Sequence, residues 1–408
     1  MTRSAYGSSA PDWRRNQAAV TTAAFIGFTG FTLVMPFLPL YFEQLGVEDT
    51  GTIAIWSGLS LGVTPAVTAL MAPLWARLGD RYGRKAMVAR SLASFVVIMA
   101  LMAFVTAPWQ VFALRTIQGL FAGYGAIAMT MAAESAPPEH TATAIGWVQT
   151  AQRLGPALGP VIGGTLAQAL GLRHTFLVSA MFYLGALLLV TILYRETSIR
   201  RGQAGDAPRP DVTFSDLRRM PHFLLFLTTV FVLQLVDRSF GPILPLYLME
   251  TGASTDRVPF LSGIIFTASA AAAAAGNQMS GWLLARAPAA RLVPAMAAVA
   301  ALAALVFGFT APVAGLITAA VILGIGMGVA TTSTYTATTT TVPVGARSVA
   351  LGYLTTAYLV GLAASPVIAG LVGSLSMRSV FIADAVGLGA LAWVVRTRMA
   401  PRAAAAGG

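Results

Sequence analysis

The sequence predicts an all-α polytopic membrane protein of twelve transmembrane helices, arranged as two pseudo-symmetric six-helix bundles. Three observations predict it. Hydrophobic residues make up 56 % of the 408 residues and charged residues 10 %, against roughly 25 % charged in soluble proteins, so lipid is the expected solvent. Twelve apolar segments reach the ~20 residues that a spanning helix needs. One offset relates the front of the chain to its back: Pro36-Phe-Leu-Pro-Leu-Tyr-Phe-Glu-Gln-Leu-Gly46 recurs as Pro242-Ile-Leu-Pro-Leu-Tyr-Leu-Met-Glu-Thr-Gly252, every matched position 206 residues on. The same spacing joins Gly155–Gly164 to Gly361–Gly370 and Pro137 to Pro343, and 205 residues separate Arg173 from Arg378 and Phe176 from Phe381. Two related halves in one orientation are a layout of membrane transporters.

The segments lie at roughly 18–43, 53–75, 86–106, 109–133, 142–169, 174–194, 221–249, 259–284, 292–310, 312–338, 347–373 and 379–396. The first follows a polar tail, residues 1–17, that holds Arg3, Arg14 and Arg15. It is too long for a cleaved leader, and Pro36 and Pro39 interrupt it. Most separators are short, as in Gly46–Gly51, Thr106–Pro108 and Ser135–Thr141. The long one, 195–219, is rich in Arg, Asp, Pro and Gly and falls midway. It reads as a linker between a bundle at 18–194 and a bundle at 220–396, with a last tail at 397–408.

The bases set a direction. With both termini in the cytoplasm, the inside loops and tails hold 20 Lys/Arg, and the outside loops hold Arg173, Arg257 and Arg378. That distribution explains the net charge of +11 without nucleic acid. Lys85 is the single lysine, and the chain has no cysteine, which excludes disulfides and thiolate metal sites. The expected surroundings are a bacterial cytoplasmic (inner) membrane, and the expected state is a monomer.

Three motifs stand out. Leu78-Gly-Asp-Arg-Tyr-Gly-Arg-Lys85 joins the second and third segments; Gly83 can adopt a positive φ, and Asp80 can pair with a base or a helix N-terminus. Arg115-Thr-Ile-Gln-Gly119 places an arginine inside the fourth segment, a cost tolerated at a cavity or against a partner, or where backbone carbonyls hold the charge. Gly155-Pro-Ala-Leu-Gly-Pro-Val-Ile-Gly-Gly164 repeats glycine at every fourth residue. Gly155, Gly159 and Gly163 form a stripe that permits close helix approach, and Pro160 permits a bend.

These motifs resemble those of the major facilitator superfamily. The first is similar to its loop signature G-x-L-a-D-r-x-G-r-k, with Ala76 where the family usually has Gly, and the second half keeps only a decayed copy at Gly281–Arg291. The second is similar to R-x-x-q-G, and the third to G-x-x-x-G-P-x-x-G-G of the drug/proton antiporters. The resemblance, strongest in the first half, extends to bacterial multidrug efflux proteins. It implies a gating loop of Asp80, Arg81, Gly83, Arg84 and Lys85, an antiporter motif of Gly155, Gly159, Pro160, Gly163 and Gly164, proton coupling at Arg115, and two bundles that rock about a midplane site.

At about 1.5 Å per residue, Arg115, Arg153, Asp237, Arg238 and Asp384 all fall roughly 17–24 Å from the inner face of a ~30 Å core. Asp237 is the expected proton carrier, with Arg115, Arg153 and Arg238 beside it. The alternative is a static pair between Asp237 and one of those arginines. The seventh helix lines the cavity in the family that the chain resembles and the twelfth flanks it, so Asp384 reads as a structural partner. Glu134 reads as a solvated or capping charge. The expected cavity residues are Phe37, Tyr41, Gln118, Phe121, Tyr124, Gln149, Gln152, Gln234, Phe240, Tyr247, Tyr335 and Tyr358. Aromatic walls with a few polar groups suit amphipathic organic molecules. The threonines of 331–341 are expected to bond back to their own helix, and the alanines of 270–275 to mark close packing.

The function that fits is proton-driven efflux of small amphipathic compounds. The alternative is a transporter of one metabolite, such as a sugar or an organic anion. An enzyme is not expected: only His140, His174 and His222 are present, with no zinc-ligand pair at helical spacing. No phosphate-binding G-x-x-x-x-G-K-[ST] loop occurs, and no cofactor is expected.

Overall fold

The computed structural model describes residues 13–137, 140–195, 214–343 and 346–399, apart from the side chains of a few helical residues, Asp80 among them. Most of both tails and of the expected linker therefore lies outside the described residues. Apolar chain in lipid must satisfy its own backbone polar groups, and here it does so as helices. They are α1 (Trp13–Thr32), α2 (Leu38–Gln44), α3 (Thr50–Tyr82), α4 (Arg84–Met102), α5 (Pro108–Phe121), α6 (Tyr124–Ser135), α7 (Thr141–Leu170) and α8 (Leu172–Leu193). After the short α9 (Phe214–Arg218) come α10 (Phe223–Glu250), α11 (Val258–Leu284), α12 (Ala289–Phe309), α13 (Val313–Thr341), α14 (Arg347–Gly373) and α15 (Met377–Met399). Among the described residues ten stretches are long and apolar enough to cross a membrane, α1 with α2 counting as one. The two remaining expected crossings are α5 with α6, and α7, so the protein is a multi-pass membrane protein.

Two expected helices differ from the sequence reading. The first crossing starts at Trp13 and breaks into α1, a 3-10 turn at Met35–Phe37, and α2. Pro36 and Pro39 lack the backbone donors that would continue α1. Their copies, Pro242 and Pro245, sit inside the unbroken α10. The fourth crossing breaks at Ala122–Gly123, where Gly123 takes φ +118°. Its counterpart 206 residues on is Val329, which cannot take that conformation without strain, and α13 runs through. The carbonyls freed at the end of α5 are capped by neighbours. Trp75 Nε1 donates to Leu120 O (2.6 Å), and Ser91 Oγ and Arg90 Nη2 donate to Phe121 O (2.6 and 3.2 Å).

The two halves pack alike. α1 lies on α7 and α8 as α10 lies on α14 and α15, α3 on α5 as α11 on α13, and α4 on α8 as α12 on α15. The repeat preserves single contacts. Tyr41 donates its hydroxyl to Met102 O (2.5 Å), and Tyr247 to Gly308 O (2.9 Å), with each donor and each acceptor 206 residues apart. The rings repeat as well: Tyr41 packs on Phe176 at 4.8 Å and Tyr247 on Phe381 at 4.9 Å.

As expected, Thr334, Thr336, Thr338 and Thr341 bond back to carbonyls of α13, while Thr332 reaches Asn277 on α11 (2.9 Å). Beside it the alanine run packs closely, since a methyl at Gly324 or Gly328 would strike the Ser269 or Ala273 carbonyl.

Replacing Tyr41 or Tyr247 by Phe removes one buried hydrogen bond and should cost about 1 kcal/mol each. Thermal melting of the purified variants should show two losses of similar size. A large loss at one site and none at the other would contradict their equivalence.

Candidate substrate pathway

Small residues build the contact between the bundles. A methyl at Gly263 of α11 would strike the Pro160 carbonyl of α7, and one at Gly164 would strike the Pro259 carbonyl. On the other side a methyl at Gly58 of α3 would strike the Pro366 carbonyl of α14, and one at Gly370 would strike the Ala54 carbonyl. Each contact maps on its counterpart by an offset of 205 or 206 residues, so one pseudo-two-fold axis relates both seams. Gly62 against Ala363 and Gly51 against Ser374 extend the α3–α14 seam.

The expected glycine stripe keeps to one face of α7, and the rest of the motif uses another. Gly155, Gly159 and Gly163 face α1 within the first bundle, against Thr29, Thr32 and Leu33. Pro160, Val161 and Gly164 meet α11 of the other bundle. The motif therefore fixes α7 on its own bundle as firmly as it meets the opposite one. The sequence reading missed the α3–α14 seam, although the four-residue spacing of Gly58 and Gly62 signalled it.

The seams lie in the half of the molecule nearer the Gly46 and Gly252 turns. On α7, Gln149 and Arg153 precede Pro160 by eleven and seven residues, about three and two turns, and share its side. Both are exposed, as are Ala274 and Gln278 on the matching side of α11. The bundles thus separate toward the face that carries Gly83 and Arg84, and a cleft opens there.

Helix α10 contributes the ionised group in the cleft wall. Gly241 would place a methyl 3.6 Å from Leu61 of α3, so this side of α10 faces the other bundle. One turn away, Asp237 pairs with Arg238 at 3.0 Å, their side chains 42 % and 45 % accessible. Tyr358 of α14 lies beside Arg238, and Tyr335, half-buried, lies beside Tyr358.

Arg115 is elsewhere. It is 1 % exposed inside the first bundle. Its Nε donates to Ser60 O (3.0 Å) and its Nη1 to Gln118 Oε1 (2.6 Å), with the Phe31 ring at 5.6 Å. Among the described residues no carboxylate pairs with it. This is the carbonyl-held arginine, not a cavity charge.

Several expected cavity residues are likewise corrected. Tyr41, Gln118, Tyr124, Phe240 and Tyr247 are buried within the bundles, and Phe37 is buried in the 3-10 turn, which also packs on α10 and α11 of the other bundle. The Tyr41 and Tyr247 hydroxyls bond to backbone, and Phe240 packs on Phe307 and Phe381. Phe121 stacks on Trp75 at 6.3 Å, and Gln152 donates to Gly125 O at the broken crossing (2.8 Å). Gln234 is buried with its Cβ against Gly361, and its Nε2 has no partner among the described residues. Gln149 remains exposed on the cleft side of α7, and Tyr358 remains beside Arg238 with Tyr335 next to it.

At the opening, Gly83 alone joins α3 to α4 at φ +95°. Arg84 Nε donates to both oxygens of Glu134 (2.8 and 2.9 Å), so the exposed Glu134 is also an ion-pair partner. Lys85 Nζ donates to Thr191 O and Tyr194 O (2.9 and 2.7 Å), capping α8. Arg81 is exposed over the Tyr82 ring, and the Asp80 side chain lies outside the described residues. Among the described residues no cluster of three or more His, Asp or Glu could hold a metal.

Known proteins resemble the chain in sequence or in fold. The chain is 33 % identical over 253 residues to the multidrug resistance protein MdtG of Proteus mirabilis, a match covering 62 % of the chain and 63 % of that relative. It is 36 % identical over 256 residues to MdtG of Dickeya zeae, covering 62 % of each chain. Its fold matches a bacterial homologue of the human lysosomal transporter Spinster, in an inward-facing and occupied conformation. That match has TM-score 0.80 and 17 % identity and covers 96 % of this chain and 98 % of the other. The nucleoside transporter NupG matches with TM-score 0.75 and 14 % identity, over 94 % and 99 %. The Major Facilitator Superfamily model matches residues 20–317 and 261–407, and the chain belongs to that superfamily.

Proposed function

We propose that the protein is a proton-driven secondary exporter of small amphipathic organic compounds, working by alternating access in a bacterial inner membrane. The observation that carries this reading is the cleft itself: two related bundles joined at one end by small-residue seams, with Asp237 and Arg238 on the wall between them. Similarity to the multidrug resistance protein MdtG supports the substrate class. The excess of bases around Gly83 supports a cytoplasmic position for that face, by the positive-inside rule. In that orientation both termini are cytoplasmic and the cleft opens inward. The partners are lipid, protons and the exported compound; the chain acts as a monomer and binds no nucleic acid.

The proton step follows from the ion pair. Ionised Asp237 holds Arg238. A proton on Asp237 removes the attraction and leaves Arg238 to Tyr358. Arg153, exposed on α7 across the cleft, is then the further base beside a substrate. Arg84–Glu134 and the Lys85 cap hold the cytoplasmic rim of the first bundle as one body while it tilts. A second reading, transport of an organic anion, is favoured by two cleft arginines facing one aspartate.

Inside-out vesicles with a panel of cationic, neutral and anionic dyes test both readings. Transport of a cationic or neutral dye should follow an imposed ΔpH and stop with an uncoupler. Uptake restricted to anionic dyes would favour the second reading. Asp237→Asn should cut ΔpH-driven export at least about tenfold, the scale of losing an essential proton-transfer group. Export at the wild-type rate would leave Asp237 as a static partner.

The seam also gives a direct test of movement. A methyl at Gly51 would sit 3.3 Å from Ser374 Cβ, near the ~3.5–4.5 Å that a disulfide requires. The chain has no cysteine of its own. Gly51→Cys with Ser374→Cys should crosslink under oxidation and stop transport, and a reductant should restore it. Full transport by the crosslinked chain would overturn alternating access at this seam.

A further inference from the structure

We propose that Asp384 binds and releases a proton of the transport cycle, as a second site behind α10. This rests on the proton-driven reading above. Among the described residues Asp384 is the one buried carboxylate, 8 % exposed, in α15. Its Oδ2 lies 2.6 Å from Ser239 Oγ of α10. Ser239 and Asp237 stand two residues apart, so they project from nearly opposite sides of the helix. Asp237 faces the cleft and Ser239 faces α15.

The repeat shows that a tie between these helices needs no charge. The position 205 residues before Asp384 is Ser179. Its hydroxyl donates to Gly30 O (2.6 Å), joining α8 to α1 as Asp384 joins α15 to α10. The first bundle makes this join with a neutral hydroxyl, and the second uses a group that can lose a proton.

No cation faces Asp384 from the elements packed on it. On α10, Asp237 and Arg238 pair with each other, and Glu250 lies at the helix end. The α12 sequence has one charged residue, Arg291, sixteen residues from Phe307, or about 24 Å. The charge of α14 is Arg347 at its first residue. On α15 itself, Arg378 lies six residues away, about 9 Å, and hydrogen-bonds with Tyr247, while Arg396 and Arg398 end the helix. An anion buried without a counter-charge is costly.

The hydrogen bonds then distinguish two states. Ser239 Oγ lies within reach of both Asp384 Oδ2 (2.6 Å) and Val236 O (2.8 Å), and it has one proton to donate. With Asp384 protonated, Asp384 donates to Ser239 and Ser239 donates to Val236, so both protons have an acceptor. With Asp384 ionised, the Ser239 proton turns to the carboxylate and the Val236 carbonyl loses it. Proton loss is thereby registered on α10 one residue from the Asp237–Arg238 pair.

Infrared difference spectroscopy of the full chain in liposomes, titrated from about pH 5 to 9, reads proton binding without a substrate. A protonated-carboxyl band that titrates in the wild type should be absent in Asp384→Asn and in Asp384→Ser, which copies Ser179. Labelling the wild-type chain with 13C-aspartate should shift that band, a check that needs no substitution. In vesicles both variants should export a wild-type dye substrate equally with and without ΔpH, while dye exchange without a gradient persists. Titrating carboxyl bands that all survive both substitutions, or wild-type ΔpH acceleration in either variant, overturn the proposal. If the wild type itself ignores ΔpH, the exporter reading fails instead, and the titrating band still reports whether Asp384 takes a proton.

Discussion

Close backbone contact between the bundles is the constraint on which the rest of the structure depends. Lipid tails are as apolar as leucine, so helices in a membrane gain little by hiding apolar side chains from one another. They associate by packing, and packing is closest where side chains are absent. Gly58 on Pro366 and Gly263 on Pro160 are one such contact made twice, and Ala54 on Gly370 and Pro259 on Gly164 another. All four lie toward one end, which leaves the other end free to part. A cleft with an exposed Arg153 and a half-exposed Asp237–Arg238 pair is the result.

The second constraint is that polar groups in the membrane must find partners inside the chain. Arg115 meets it within the first bundle through Ser60 and Gln118. The break at Gly123 frees carbonyls, and Trp75, Arg90 and Ser91 take them. Arg90 is further held with its guanidinium carbon 3.2 Å from the Trp75 ring centre, an attraction that strengthens away from water. These side chains come from α3 and α4, so the broken crossing stiffens its bundle. Two stiff bodies with a narrow seam between them are what a rocking motion requires.

The architecture was legible in the sequence because hydropathy, loop charge and a fixed repeat offset are properties of the chain alone. The site was legible only in part, because depth along a helix does not fix the direction of a side chain. Tyr41 and Tyr247 lie at matched positions of an aromatic, proline-rich stretch, which reads equally well as cavity wall or bundle core. Their hydroxyls settle it by bonding to the ends of α4 and α12. Arg115 looked like a cavity charge because an intramembrane arginine needs a partner, and a neighbouring carbonyl is invisible in sequence. The ion pair of the exposed Glu134 was hidden because its partner, Arg84, lies fifty residues away. The broken fourth crossing was recoverable, since Gly123 faces Val329 in the repeat alignment.

The central claim is that the bundles turn as rigid bodies about the small-residue seams. Spin labels at Gln149 of α7 and Gln278 of α11 flank the open end of the cleft, and electron–electron resonance measures the distance between them. The distance should shift between a longer and a shorter population when pH or dye is changed, while label pairs within one bundle stay fixed. A single unchanging distance across the cleft, or equal changes within one bundle, would contradict the account.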